Sequence, residues 1–383
     1  MLIYIILLLI LFMAAIIFLF NKKTKNRFIF LLFAFVPTFL ISAFRSYNVG
    51  ADTLAYVVLF DELKRMSIQE ILNWNIYFET GYLIFNHIIQ YFTMNNQAIL
   101  IVTSLIIISS VFLLIYKYSV SLFFSVYLFI TLAFYYNSMN IIRQYIAIAI
   151  LTYSLSLVKK RKLVPFIIVV FLASLFHSSA LIFSIVYLFP LIKFSNRIVL
   201  IAIFTSGICT LFLSPLMEWV LMKVPQYQMH MSYMDSNEVA SLFKTLILLS
   251  ILLIGLAVKY HESQNSLLEI KRSTDLRDTI KEKTLNTKKV VIKNSDENIL
   301  SLIMLFAVLF SLLSIRMSIL SRVSEYFAIY SVLYLPNAIN KIKSKDIRTS
   351  IIILVVFFTL LYNAIIFIYR PEWYQVTPYS LFK

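Results

Sequence analysis

The chain has 383 residues, 61% apolar and 14% charged, with a formal charge of +16. A soluble domain carries roughly 45–50% apolar and about 25% charged residues. A soluble fold of this length has too little interior to hide the excess, so lipid must be the solvent for much of this chain. The basic excess falls in short bursts between apolar runs, not in a stripe with interleaved aromatics, which excludes nucleic acid as the partner. The four glycines, Gly50, Gly81, Gly207 and Gly255, match no dinucleotide or P-loop fingerprint, which excludes nucleotide-driven transport by the chain itself. The lone Cys209 reads as a buried structural thiol. The histidines form no cluster with Cys or Glu at metal-ligand spacing, so no metal and no cofactor is expected.

A helix of about 20 apolar residues spans the hydrocarbon. In chain order such runs fall near 2–20, 28–44, 97–116, 119–136, 140–158, 163–177, 178–192, 197–213, 242–259, 298–316, 319–337 and 349–368. The pattern predicts an all-α polytopic membrane protein of about twelve transmembrane helices, with residues 1–383 as a single membrane domain. The first run has no basic residue before it and is followed by Asn21-Lys22-Lys23, which argues against a cleaved signal peptide.

Lys and Arg fix the orientation by concentrating on the cytoplasmic side. With the N-terminus outside, the cytoplasm receives Lys22, Lys23, Lys25, Arg27, Lys117, Lys159-Lys160-Arg161-Lys162, Lys193 and Arg197. It also receives the basic residues from Lys259 to Lys293 and from Lys341 to Arg348. Both termini are then outside. Segment 80–93 is too short to span comfortably, and it is placed as a half-inserted or surface helix on the outer face.

Two outer loops follow, 45–96 and 214–241. In the first, Tyr56, Leu59, Phe60, Leu63 and Met66 recur at helical spacing, with Asp61, Glu62, Lys64 and Arg65 opposite. That predicts one interfacial helix over Leu54–Leu72. The polar stretch 260–297 reads as a flexible cytoplasmic loop or a surface helix.

Eight ionisable groups then fall in the outer half of the bundle: Arg45, Asp52, Glu79, Arg143, His177, Arg316, Arg322 and Glu325. A charge at membrane depth costs about 2.5–3.5 kcal/mol on insertion scales, so each is a site candidate. Arg45 reads either as a group snorkelling from its helix end or as a ligand contact. Asp52 reads as an N-cap or a base, Glu79 as a loop acid or a base, and His177 as a loop histidine or a base. Arg322 and Glu325 read as an i,i+3 pair or a ligand site. Arg143, one turn into an apolar helix, points to function. Guanidinium groups clamp phosphate bidentately, and a carboxylate or imidazole takes the proton of an attacking hydroxyl. The set suits a lipid diphosphate-sugar, with its diphosphate at the interface and its sugar toward the outer loops.

Several stretches, in order, resemble the EpsG family of Wzy-type polysaccharide polymerases. They are Arg45 with Asn48-Val49-Gly50-Ala51-Asp52-Thr53 and Tyr56; Phe78-Glu79-Thr80-Gly81-Tyr82; and Arg143-Gln144-Tyr145-Ile146-Ala147. Leu172 to Leu181 around His177, Arg322-Val323-Ser324-Glu325-Tyr326-Phe327, and the tail from Trp373 to Pro378-Tyr379 complete the series. Ala51 stands where that motif often has Thr.

The resemblance implies a membrane glycosyltransferase of GT-C-like architecture in a bacterial cytoplasmic membrane, with its active site facing the exterior. It would transfer a growing glycan from one undecaprenyl diphosphate to a sugar hydroxyl of a second lipid-linked repeat unit. In that reading Asp52 is the preferred base, with Glu79 and His177 as alternates. Arg143, Arg316 and Arg322 hold the diphosphate, with Arg45 as a fourth contact, and Tyr326 and Gln144 are further substrate contacts. Partners would be the lipid-linked glycan donor and acceptor, membrane lipid, and a chain-length regulator protein. A flippase or exporter of the same unit is the main rival, but the chain shows no internal repeat and no paired helix breaks. A ligase would use a similar site, and an acyltransferase would lean on a histidine more than on several arginines.

Overall fold

The computed structural model describes residues 1–20, 26–74, 78–192, 194–223, 238–274 and 280–382. Among these the chain is helical throughout, with no strand and one isolated β-bridge between Arg45 and Leu381. In chain order the helices are α1 (Leu2–Ala15), α2 (Arg27–Ala43), α3 (Thr53–Leu63), α4 (Ile68–Asn73), α5 (Thr80–Phe92) and α6 (Gln97–Tyr118). There follow α7 (Leu122–Thr131), α8 (Phe134–Asn140), α9 (Ile142–Leu151), α10 (Ser154–Lys159), α11 (Leu163–Ser174) and a 3-10 segment, Ser178–Leu191. The remainder are α12 (Asn196–Lys223), α13 (Glu238–Thr274), α14 (Ile280–Leu313), α15 (Ile319–Ala328), α16 (Ser331–Ile339) and α17 (Lys345–Ala364).

The apolar runs read from the sequence are largely helical, with 319–337 divided into α15 and α16. Among the described residues, five stretches are long and apolar enough by themselves to cross a membrane: Leu2–Leu19, Gln97–Tyr118, Asn196–Leu213, Val239–Glu262 and Lys345–Tyr369. The bent pair α7–α8 makes a sixth. The chain is therefore an all-helical membrane protein. The run 119–136 is not one straight helix: α7 and α8 meet at 51°, because Ala133 takes a left-handed backbone, φ 67°. The run 140–158 is also broken, into α9 and α10. There the Thr152 and Ser154 hydroxyls donate to the carbonyls of Ala149 (2.7 Å) and Leu151 (2.6 Å), a local bond that competes with the helix ladder.

The chain packs as two compact units, residues 1–184 with 352–383, and residues 185–351. Unit 1 is organised around buried tyrosines. Tyr4 meets Tyr136 edge-on at 5.1 Å between ring centroids, and its hydroxyl donates to the Val376 carbonyl at 3.1 Å. Tyr136 donates to Asn363 Oδ1 at 2.9 Å, and Asn363 donates in turn to the Thr131 carbonyl. A buried hydroxyl or amide is costly unless bonded, so these pairings fix the register of α17 against α7 and α8.

The amphipathic stretch after Arg45 is two helices, not one. Ser67 and Glu70 form a reciprocal capping box that starts α4, which closes two orphan amides and ends the helix before it. The apolar face is as expected: Tyr56, Leu59, Phe60 and Leu63 are buried, while Asp61, Glu62 and Arg65 are exposed. α5 has 13 residues, about 20 Å at 1.5 Å per residue, short of a hydrocarbon core of about 30 Å.

Unit 2 holds α12 to α16. Thr245 of α13 bonds Ser311 of α14 through their hydroxyls at 2.7 Å, and Ser324 of α15 donates to the Ala307 carbonyl at 2.8 Å. Cys209 on α12 is exposed, not buried: it lies on a face of α12 that unit 2 does not cover. Residues 260–274 continue α13 and 280–297 belong to α14, so the polar stretch is helical there. Residues 224–237 of the second loop lie outside the described residues, as do Lys22, Lys23 and Lys25 of the first basic burst.

Candidate functional site

Close backbone approach assembles the first centre, in unit 1. A Cβ on Gly81 would stand 2.5 Å from the Leu175 carbonyl oxygen and 2.6 Å from its Cβ. Only glycine lets the first turn of α5 touch the end of α11 so closely. That contact sets Glu79, just before α5, beside His177, just after α11. Gly81→Ala is expected to force the two segments apart. Overpacking of this kind costs about 1–3 kcal/mol, to be read as a lower midpoint in thermal unfolding. Unchanged stability would show that the contact is slack.

Glu79 is the hub of this centre. Its carboxylate pairs with the Arg143 guanidinium, accepts from His177 Nδ1 at 2.9 Å and accepts from the Ser178 amide at 3.1 Å. The three side chains are 13–18% exposed, mostly enclosed but open to an approaching ligand. The Arg143 guanidinium also stacks on Phe78, its Cζ 4.5 Å from the ring centroid, in the cation–π geometry that favours arginine. Phe78 is itself held by Tyr82, stacked at 6.2 Å, and by Tyr56, edge-on at 6.4 Å.

Burial pushes the Glu79 carboxyl up, but the His177 hydrogen bond and the Arg143 charge outweigh it and hold the group down to about 2. A carboxylate so acidic and so fully engaged is a poor proton acceptor. It acts on its neighbour instead. Accepting from Nδ1 fixes the imidazole tautomer and leaves Nε2 with the lone pair. This is an acid–histidine arrangement oriented for general-base work.

Asp52 occupies the N-cap position of α3, yet its side chain makes no capping bond, and it is half-buried. Gln144, next to Arg143, is buried at 2% exposure. Arg45 does not snorkel. It is 1% exposed and donates to the Ser42 carbonyl and to the Met139 carbonyl at 3.1 Å. Its guanidinium is spent on backbone oxygens that α2 and α8 present.

The second centre is in unit 2. Glu325, 3% exposed, accepts from Lys244 Nζ of α13 at 2.6 Å, and the same ammonium donates to the Ser321 carbonyl at 3.1 Å. Arg322 is half-buried one residue further on, and Arg316 is exposed just after α14. Tyr326 is buried at 1%. Lys244, Arg316, Arg322 and Glu325 carry three positive charges and one negative, a residue set whose chemistry suits an anion.

The EpsG family model matches residues 28–381, nearly the whole chain. The chain belongs to the EpsG family. EpsG is a family of Wzy-type polysaccharide polymerases. No curated protein and no solved structure matches this EpsG-family chain. The three candidate side chains of unit 1, Glu79, Arg143 and His177, lie in three separate motifs, and their meeting is what the sequence order alone does not display.

Sequence reading missed Lys244, although a lysine inside the apolar run 242–259 was the available signal. It also missed Phe78 as the platform under Arg143. Among the described residues no three His, Cys, Asp or Glu side chains are grouped to hold a metal ion.

Proposed function

We propose that this EpsG-family protein is a membrane glycosyltransferase that polymerises lipid-linked repeat units, with His177 as the general base. The observation that carries the assignment is the Glu79–His177 hydrogen bond, 2.9 Å at Nδ1, which leaves the Nε2 lone pair to take a proton. The preferred base thus moves from Asp52 to His177; Glu79 becomes the orienting group and Asp52 an acceptor contact. His177 Nε2 takes the proton of the acceptor sugar hydroxyl as that oxygen bonds to the anomeric carbon of the donor glycan. The bond from that carbon to the phosphate oxygen breaks, and the lipid diphosphate leaves with the bonding pair.

Arg143 is assigned to the substrate side of the Glu79 pair, where a second edge of the guanidinium meets phosphate oxygen. Arg322, Arg316 and Lys244 are assigned to phosphate within unit 2, with Glu325 as the counter-charge that holds Lys244 in place. Gln144 is a contact beside Arg143, and Tyr326 a packing support for the Glu325 turn. Arg45 is withdrawn from the diphosphate.

Undecaprenyl diphosphate is the carrier in this reading. The enzyme lies in a bacterial cytoplasmic membrane with its centres on the outer face. About twelve spans in a GT-C-like arrangement, both termini outside, and a chain-length regulator as partner complete the proposal. The positive charge of the segments assigned to the inner face supports the orientation.

The test is a reconstituted assay with the host's own lipid-linked repeat unit in vesicles. A ladder of longer glycans from wild type supports the proposal. No ladder, with the unit crossing the bilayer, would replace it by transport.

A further inference from the structure

Asn140 is a buried amide, 5% exposed, at the end of α8 and one turn before Arg143. Asparagine is a poor choice for an apolar helix end in lipid, since its amide demands partners. Both halves of the amide are used, each by backbone from a remote part of unit 1. Oδ1 accepts from the Ala51 amide at 2.8 Å. Nδ2 donates to the Tyr374 carbonyl at 2.9 Å. One side chain therefore ties together the turn that carries Asp52, the C-terminal tail, and the helix break that aims Arg143.

The surrounding backbone is built to admit that amide. Gly50 has φ 102°, and a Cβ there would stand 2.8 Å from Asn140 Oδ1 and 2.6 Å from Thr53 Oγ1. The Gly50 amide donates to the Gln375 carbonyl at 2.8 Å. Thr53 Oγ1 donates to the carbonyls of Val49 (2.7 Å) and Met139 (3.3 Å). The Met139 carbonyl also accepts from Arg45. Further along, the Ser46 amide donates to the Ser380 carbonyl, and the Phe382 amide to the Phe44 carbonyl, both at 2.9 Å. The tail from Tyr374 to Phe382 is thus a strap over the Asp52 turn, and Asn140 is its only side chain–mediated link to both the turn and the tail among these bonds.

We infer that Asn140 is a positioning residue for the transfer reaction, holding the Asp52 turn and the C-terminal tail on the α8–α9 break that precedes Arg143. It touches no reacting atom. This rests on the polymerase reading for its effect on rate, but the tie itself is a matter of backbone protection.

The experiment uses full-length protein in vesicles with two readouts: glycan ladder kinetics, and amide hydrogen exchange at Gly50–Ala51 and Tyr374–Phe382. Asn140→Ala is expected to lower kcat by about 10- to 100-fold with KM changed less than about threefold, the signature of misplacement rather than lost binding. Exchange at both segments should rise together.

Asn140→Asp is the conservative variant. Its carboxylate repels the Tyr374 carbonyl. Once protonated, it donates to Tyr374 and accepts from Ala51, so activity relative to wild type should recover as pH falls, and exchange should slow. Removing residues 374–383 should likewise lower kcat and raise exchange at Gly50–Ala51. Raised exchange with unchanged kcat would overturn the positioning role while leaving the polymerase reading intact. Unchanged exchange in Asn140→Ala would overturn the tie itself. A wild type that makes no ladder counts against the polymerase reading instead, and the coupled rise in exchange still decides whether Asn140 joins the segments.

Discussion

His177→Ala lowers kcat for glycan extension by about 10² to 10⁴, the usual worth of a positioned general base, with little change in KM. Glu79→Gln falls in the same direction. An amide beside Nδ1 removes the carboxylate that fixes the tautomer, and it also cancels the ion pair with Arg143. The two variants differ in stability. Glu79 titrates near 2 in the folded protein against 4.5 for a free glutamate. A depressed folded value contributes stability that is complete above the unfolded value and is lost as pH falls from 4.5 toward 2. Thermal midpoints of wild type should therefore exceed those of Glu79→Gln at pH 7, stay so to about pH 5, and converge below. Parallel midpoints down to pH 3 would mean that the Glu79 pairs do not stabilise the fold. An active His177→Ala would return the base role to Asp52.

Glu79, Arg143 and His177 were each legible as singular charges in apolar surroundings, and lipid is what makes that signal strong. Their meeting was not legible, because residues 64 and 98 positions apart come together only in the fold, Glu79 and His177 by way of the Gly81–Leu175 contact. Arg45 shows the limit of the same signal. A cation at the end of an apolar helix looks alike whether it binds a ligand, snorkels, or caps the carbonyls of another helix break. Only the fold, which puts the Met139 carbonyl in reach, decides. Lys244 escaped because one lysine barely lowers the hydropathy of a long apolar window. The bend at Ala133 escaped because alanine with a positive φ has no sequence mark. The break after Leu63 does have one, Ser67 with Glu70 three residues on, set within a longer apolar period that runs through it.

Arg143→Ala is expected to have the largest combined effect. Removing one partner of a buried pair leaves the other charge uncompensated and costs about 3–5 kcal/mol. With both groups here partly open, the lower end applies. Arg143→Lys keeps the charge but loses the fork and the stacking on Phe78, so it should recover stability more than rate. The informative experiment is the cycle with Glu79→Gln, because neighbours in one network are not additive. If Arg143 serves only to hold Glu79, the double variant is no slower than Glu79→Gln alone. If it also meets the lipid diphosphate, Arg143→Ala slows the Glu79→Gln protein further, and the extra loss shrinks when the donor carries a monophosphate in place of the diphosphate. A double variant equal to Glu79→Gln for both donors would confine Arg143 to the support of Glu79 and leave phosphate binding to Lys244, Arg316 and Arg322. Those side chains, tested in the same assay, would then carry the whole salt dependence of donor binding.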